Sequence, residues 1–227
     1  HNYISEIFED SKRRLWIGTN GGGIYRYIER HDRFEKQTTN APQAMEFVNR
    51  IREDYKGRIW VGTREGLFVL DRTKTIWQSY SEVIPGGGDF PSGEINAIVL
   101  NSDFLWLGTA RNGIARFHLA TGKSSVYSTD NSDIPDDEII SMAQDDSGFL
   151  WIATPSGISR LDTVQRLFRN FTSEDGLQEG FRPNALAFGR RRSLLIGGND
   201  GFNQINPAKL PEIVQPPRPF LTQFEYF

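Results

Sequence analysis

Ile59-Trp60-Val61-Gly62-Thr63 decides the fold, because the same five-residue run recurs along the chain. Leu15-Trp16-Ile17-Gly18-Thr19, Leu105-Trp106-Leu107-Gly108-Thr109, Leu150-Trp151-Ile152-Ala153-Thr154 and Leu194-Leu195-Ile196-Gly197-Gly198 line up with it. The second position falls at 16, 60, 106, 151 and 195, giving spacings of 44, 46, 45 and 44. Four of the five tryptophans occupy that slot, which chance does not produce. The flanks repeat as well. Upstream, an apolar alternation ends in acids and a turn: Ile4, Ile7, Glu9-Asp10; then Val48, Ile51, Glu53-Asp54, Gly57; then Ile139, Met142, Asp145-Asp146, Gly148. Downstream, a glycine opens a second apolar run, as in Gly23-Ile24-Tyr25, Gly66-Leu67-Phe68, Gly113-Ile114-Ala115, Gly157-Ile158-Ser159 and Gly201-Phe202-Asn203. An aromatic segment closes most copies, near Phe34, Trp77-Tyr80, Tyr127 and Phe168-Phe171.

Each unit is therefore four short runs divided by Gly, Asp, Asn and Ser. Runs of about five residues rich in β-branched and aromatic side chains are too short for helices and read as strands. Four antiparallel strands in a repeat of about 40–50 residues is the pattern of a β-propeller blade. Stacked blades bury both faces of a strand, which accounts for apolar residues on both parities at Leu15-Trp16-Ile17. The glycine that follows leaves room for the next blade. The expected architecture is all-β, with five four-stranded blades at about 1–44, 45–90, 91–135, 136–180 and 181–206, in an arc or ring cut from a larger propeller. An uncovered terminal blade would offer a sheet edge and a sticky face, so a homodimer is expected if the ring is open.

Composition removes several classes of function. Aromatic residues make up 12% of 227 residues, enough large side chains to fill a core. Mean hydropathy is −0.49, and no stretch approaches the roughly 20 apolar residues of a membrane-spanning helix. No signal-peptide pattern is present, and a start at His1 is what a piece of a longer protein would show. Lys and Arg total 26 against 29 Asp and Glu, which speaks against an electrostatic grip on nucleic acid. The absence of cysteine excludes disulfides, thiol catalysis and Cys-ligated metals.

The unit resembles the two-component-regulator propeller repeat, approximately I-x-x-I-x-E-D-x-x-G-x-L-W-I-G-T-x-x-G-[GL]-x-R-[FY]. The second copy fits nearly throughout, whereas the third is one residue short before Trp106 and lacks the acidic pair. Glu174-Asp175-Gly176-Leu177, Gly180-Phe181, Asn199-Asp200-Gly201-Phe202 and Asn206-Pro207 resemble that family's terminal blade. Residues 207–219, with Pro211, Pro216, Pro217 and Pro219, read as a stiff connector. Residues 220–227 resemble the first strand of the Ig-like domain that follows such propellers. The resemblance implies the periplasmic or extracellular sensor region of a membrane protein, with a small-molecule or oligosaccharide ligand, often a glycan fragment. It implies a cytoplasmic output by a histidine kinase with a response regulator, or by a diguanylate cyclase. The fragment itself is expected to be non-enzymatic and without cofactor, touching the membrane only through the parent protein. A protein-interaction platform and a propeller lyase or glycosidase are the competing readings.

Residue chemistry favours scaffold over catalysis at the repeated positions. Paired acids at Glu9-Asp10, Glu53-Asp54 and Asp145-Asp146 could do acid–base work on glycosides. They recur just before the hairpin into the Trp strand, however, where Asp side chains satisfy turn backbone. Gly21-Gly22-Gly23 and Gly86-Gly87-Gly88 lack the Lys-Ser/Thr of a phosphate loop. His1, His31 and His118 have no metal-ligand spacing, and the Asp130–Asp137 stretch lacks the Gly and terminal Glu of a calcium loop. Lys12-Arg13-Arg14 and Arg190-Arg191-Arg192 fall at one hairpin in two copies and read as solvated turns. Binding surfaces need not repeat, so the variable turns after the Trp strands and the connectors on the same rim carry the site expectation. The candidates are Arg64, Arg111, Asn112, Asp89, Phe90, Arg182 and Asn184. Arginine forks suit carboxylates or vicinal hydroxyls, and Phe90 would stack on a sugar ring.

Overall fold

A computed structural model of the chain describes residues 3–37, 43–71, 76–83, 93–189 and 192–210. Five antiparallel sheets follow one another along it. Blade 1 is β1 (Tyr3–Glu9), β2 (Leu15–Asn20), β3 (Gly23–Ile28) and β4 (Arg33–Lys36). Blade 2 is β5 (Val48–Glu53), β6 (Ile59–Thr63), β7 (Gly66–Leu70) and β8 (Trp77–Ser79), followed by one helical turn, α1 (Tyr80–Val83). Blade 3 is β9 (Ile95–Leu100), β10 (Phe104–Thr109), β11 (Ile114–His118) and β12 (Ser124–Tyr127). Blade 4 is β13 (Ser141–Gln144), β14 (Leu150–Thr154), β15 (Gly157–Asp162) and β16 (Leu167–Phe171). Blade 5 shows three strands among the described residues, β17 (Phe181–Phe188), β18 (Leu194–Gly198) and β19 (Gly201–Ile205). The sheet order within every blade follows the chain, so each is a simple up-and-down meander. The connector and the Ig-like strand, from residue 211 onward, lie outside the described residues.

The core lies between blades rather than within them. One cluster joins Trp60 and Leu67 of blade 2 to Ile95, Ile98 and Leu107 of blade 3. Equivalent clusters join blades 1 and 2, 3 and 4, and 4 and 5. Trp16, Trp60, Trp106 and Trp151 are all at most 1% exposed. The glycine expectation is met at three blades. A Cβ on Gly62 would lie 2.8 Å from Ile95 Cγ2, and Gly18 and Gly108 make the same room for Val48 and Ile139 of the following blade. Gly197 of blade 5 meets only Ala185 of its own blade.

That difference marks the seam. Ile4 and Ile7 of β1 are 55% and 61% exposed, whereas Val48 and Ile51, their counterparts in blade 2, are fully buried. Phe202 of β19 is 70% exposed, against 1% for its counterpart Leu67. Blade 5 nevertheless reaches blade 1, because Asn184 Nδ2 donates to Ser5 O at 2.9 Å. The first and fifth blades thus touch through their inner strands while their facing apolar surfaces stay open.

The acids of the repeat hold the tryptophans. Asp10 Oδ1 accepts from the backbone N–H of Lys12 and Arg14, and Oδ2 accepts from Arg14 Nε at 2.6 Å and Trp16 Nε1 at 2.9 Å. Asp54 makes the same four bonds with Lys56, Arg58 and Trp60. Asp145 accepts from Ser147 N, Phe149 N and Trp151 Nε1. The turn chemistry read from the sequence is present, and an indole bond lies on top of it. Burying 150–250 Å² of tryptophan is worth about 4–6 kcal/mol at ~25 cal/mol per Å², whereas an unpaired buried N–H costs about 1–3 kcal/mol. Area therefore puts the ring inside, and the carboxylate removes the penalty.

Burial raises the Asp10 pKa, but the hydrogen bonds from Trp16 and Arg14 outweigh it and hold the group below its ordinary value. A depressed folded-state pKa contributes stability that is complete above the unfolded value near 4 and is lost as pH falls through the folded value. Asp10→Asn is therefore expected to destabilise the chain at pH 7 and to differ progressively less from the parent as pH drops below about 4. Denaturant unfolding at a series of pH values measures this; a constant difference across the series contradicts it.

Candidate functional site

The centre of the arc is occupied by an ion pair. Glu6, Arg50, Ala97, Ser141 and Ala185 share one inner-strand position, opposite the fourth residue of the Trp run in the first four blades. Arg50, 4% exposed, spans from blade 2 to blade 4: Nη2 donates to Ser141 Oγ at 3.1 Å, and Nη1 lies 3.4 Å from Glu6 Oε1. Arg52 Nη1 and the backbone N–H of Ile51 also bond the Glu6 carboxylate. Burial draws the Arg50 pKa down to about 10 against the opposing pull of Glu6. The guanidinium remains charged at neutral pH. The one acid at this axial position is consumed by cations and a backbone N–H, so it is not a free general base.

The rim formed by the β2–β3-type turns and the blade connectors is different. Arg64 follows β6; its N–H donates to Phe47 O at 3.1 Å, and its guanidinium lies 4.3 Å from the centre of the Phe47 ring. Its Nε is 3.9 Å from Glu94 Oε1. Glu94 also accepts from Asn49 Nδ2 at 3.0 Å, and its carbonyl accepts from Ala110 N. Glu94, Arg111 and Asn112 then line one cleft of about 310 Å³ with Gly93, Thr109 and Ala110. Three of the sequence candidates, Arg64, Arg111 and Asn112, are thus gathered around Glu94 on adjacent blades.

The others fall apart from this cluster. Arg182 is exposed near the start of β17. Asn184 is committed to the inner strands, at φ +65°, with its amide bonded to Ser5 O. Its repeat counterparts behave alike: Asn49 donates to Ile95 O, Asn96 to Ile139 O and Ser5 Oγ to Val48 O. Asn184 is therefore part of an inter-blade belt, which explains why a residue of that type stands there. Asp89 and Phe90 lie outside the described residues.

Sequence reasoning passed over Phe47 and Glu94. Both immediately precede the first buried residue of an inner strand, and the same slot holds Tyr3, Glu138 and Arg182 in the other copies. A position on the rim that changes from aromatic to acid to base at constant register was the available signal.

The comparisons with known proteins agree with this architecture. The family described as two component regulator propeller matches residues 1–21, 44–65 and 133–156. The chain is a β-propeller of five blades. The matched segments fall in three of its five blades. Among solved structures it is similar to two Bacteroides thetaiotaomicron extracellular domains described as belonging to hybrid two component systems. BT3049 gives a TM-score of 0.77 at 23% identity, and BT4673 gives 0.76 at 20%. It is also similar to virginiamycin B lyase from Staphylococcus aureus, with a TM-score of 0.66 at 17% identity, over 90% of this chain and 67% of the lyase. The chain is covered over 90% and 92% by the two Bacteroides domains but spans only 28% and 27% of their length. No curated protein sequence matches it.

Removing one partner of a buried ion pair leaves an uncompensated charge and costs about 3–5 kcal/mol. Glu6→Ala strips Arg50 of its carboxylate and is expected to lower unfolding stability by about 3 kcal/mol. A loss below about 1 kcal/mol in urea unfolding would show that the central pair does not hold the inner strands.

Proposed function

We propose that this chain is the extracytoplasmic ligand-sensing propeller of a membrane signalling receptor, and that it binds a small molecule or glycan fragment rather than turning one over. The observation that carries the reading is the cluster of Arg64, Glu94, Arg111 and Asn112 on one rim, at positions that do not repeat, on a scaffold built of two-component regulator repeats. Guanidinium forks and an amide around a carboxylate suit hydroxyl-rich or acidic ligands. Phe47, already stacked under Arg64, adds an apolar face. The extracellular domains similar in fold support placing the module outside the cytoplasm. No helix among the described residues is long and apolar enough to cross a membrane. In this reading the histidine kinase output, like the anchor, belongs to the parent protein.

Calorimetry with a panel of oligosaccharides, together with assay of the same mixtures for released products, tests the reading. Binding without turnover is expected, and Arg64→Ala with Arg111→Ala is expected to weaken it at least tenfold, about 1.4 kcal/mol, with an unchanged circular-dichroism spectrum. Product release would instead assign the chain to the propeller enzymes. Binding untouched by both substitutions would move the site off this rim.

A further inference from the structure

Blade 3 departs from the other tryptophan blades at one point. Its β9–β10 hairpin is one residue shorter, and six residues before Trp106 stands Leu100 rather than an aspartate. Asn101 takes over the turn: Oδ1 accepts from Asp103 N at 3.1 Å and Phe104 N at 2.8 Å, and Nδ2 donates to Gln144 Oε1 at 3.4 Å. Nothing takes over the indole. Trp106 is 1% exposed, and its Nε1 has no acceptor among the described residues. Arg116, paired with Trp106 across β10 and β11, has a buried Nε that is also without an acceptor. Its guanidinium lies 3.7 Å from the centre of the Phe104 ring and 5.1 Å from that of Trp106.

In blades 1 and 2 the indole Nε1 and the Nε of a hairpin arginine, Arg14 or Arg58, meet on one carboxylate oxygen, Asp10 Oδ2 or Asp54 Oδ2. Blade 3 keeps the indole but has Phe104 where Arg14 and Arg58 stand and Leu100 where the aspartate stands; Arg116 occupies the register of Arg26 and Arg160 and is the nearest cation to the ring. Trp106 and Arg116 instead form part of the wall of a cleft of about 640 Å³ between the hairpins of blades 3 and 4, shared with Asp103, Gln144, Asp146 and Arg166. The acids around it are already engaged. Asp145 spends Oδ1 on two backbone N–H groups and Oδ2 on Trp151, Asp146 pairs with Arg192 Nε at 2.9 Å, and Asp103 accepts from Ser102 Oγ. Arg116 and Arg166 are the cations left facing the cleft.

We propose that this cleft binds an organic carboxylate, one oxygen of which accepts from Trp106 Nε1 as Asp54 Oδ2 accepts from Trp60, with the Arg116 guanidinium as the neighbouring cation. A carboxylate is the class selected because the indole N–H donates to one in blades 1, 2 and 4, because a guanidinium stands beside it here, and because charge-assisted bonds of this kind are the strong ones. Entry requires the Arg116 guanidinium to swing off the Phe104 ring, so short acids reach the donors first. The site lies on the hairpin rim, opposite the Arg64–Glu94 cluster, and does not depend on that cluster binding anything.

The test uses the full chain labelled with nitrogen-15, whose five tryptophans give five indole N–H signals. Trp106→Phe assigns the signal of interest. Sodium acetate is titrated at constant ionic strength against sodium chloride and sodium phosphate. The Trp106 signal is expected to shift saturably with acetate and not with chloride, while those of Trp16, Trp60 and Trp151 stay in place. Arg116→Gln is expected to weaken the response at least tenfold. Should that variant fail to fold, replacing residues 100–104 with the blade 2 hairpin of residues 53–58 supplies an internal carboxylate. That graft is expected to move the Trp106 signal toward the position of Trp60 and to abolish the acetate response. A Trp106 signal that ignores acetate, or that moves equally with chloride or phosphate, overturns the proposal, as does a graft that still responds to acetate.

Discussion

An indole ring buried on both faces, whose N–H meets a hairpin carboxylate in blades 1, 2 and 4, is the constraint on which those blades depend. The strand carrying it sits second in the blade, so neighbours on either side cover it and only the hairpin rim is near enough to supply an acceptor. Asp10, Asp54 and Asp145 supply it from six residues upstream, and the same carboxylates fasten the hairpin backbone. A single side chain therefore couples the turn, the strand register and the depth of the ring. In those three blades the coupling explains why the hairpin fixes where the ring edge lies.

The rest of the molecule divides between positions that serve every blade alike and positions that do not. Glycine at Gly18, Gly62 and Gly108 lets each blade lie against the next, and the Ser5, Asn49, Asn96 and Asn184 side chains bind neighbouring inner strands near the axis. The Glu6–Arg50 pair fills the centre. On the connector rim, the slot that holds Phe47 and Glu94 changes in chemistry from copy to copy. Between blades 5 and 1 the repeated packing stops. Ile4, Ile7 and Phe202 lie in solvent at positions that every interior blade buries.

Much of this was legible in the sequence, for physical reasons. Strands buried on both faces are apolar at successive positions, so Ile59-Trp60-Val61 and its copies stand out without an alternating pattern, and their spacing gives the blade length directly. The rim cluster was half legible: Arg64, Arg111 and Asn112 could be placed by turn position, whereas their convergence on Glu94 depends on how adjacent blades approach. Asn184 was misleading because an amide at the axis and an amide at a binding rim look alike in sequence; only its register with Asn49 and Asn96 separates them. The bond from Asp to indole was missed because turn chemistry alone was a sufficient reason for the acids. The open seam was outside sequence reach, since Ile4 and Phe202 are as apolar as their buried counterparts.

The account stands most directly on the coupling between the carboxylate and the ring. A double-mutant cycle on blade 2, with Asp54→Ala, Trp60→Phe and both together, isolates it in equilibrium unfolding. Hydrogen bonds to charged groups are worth about 1.5–3 kcal/mol, so a coupling energy in that range is predicted. Additive single-mutant losses, with a coupling below about 0.5 kcal/mol, would contradict the claim that the acid is there for the indole.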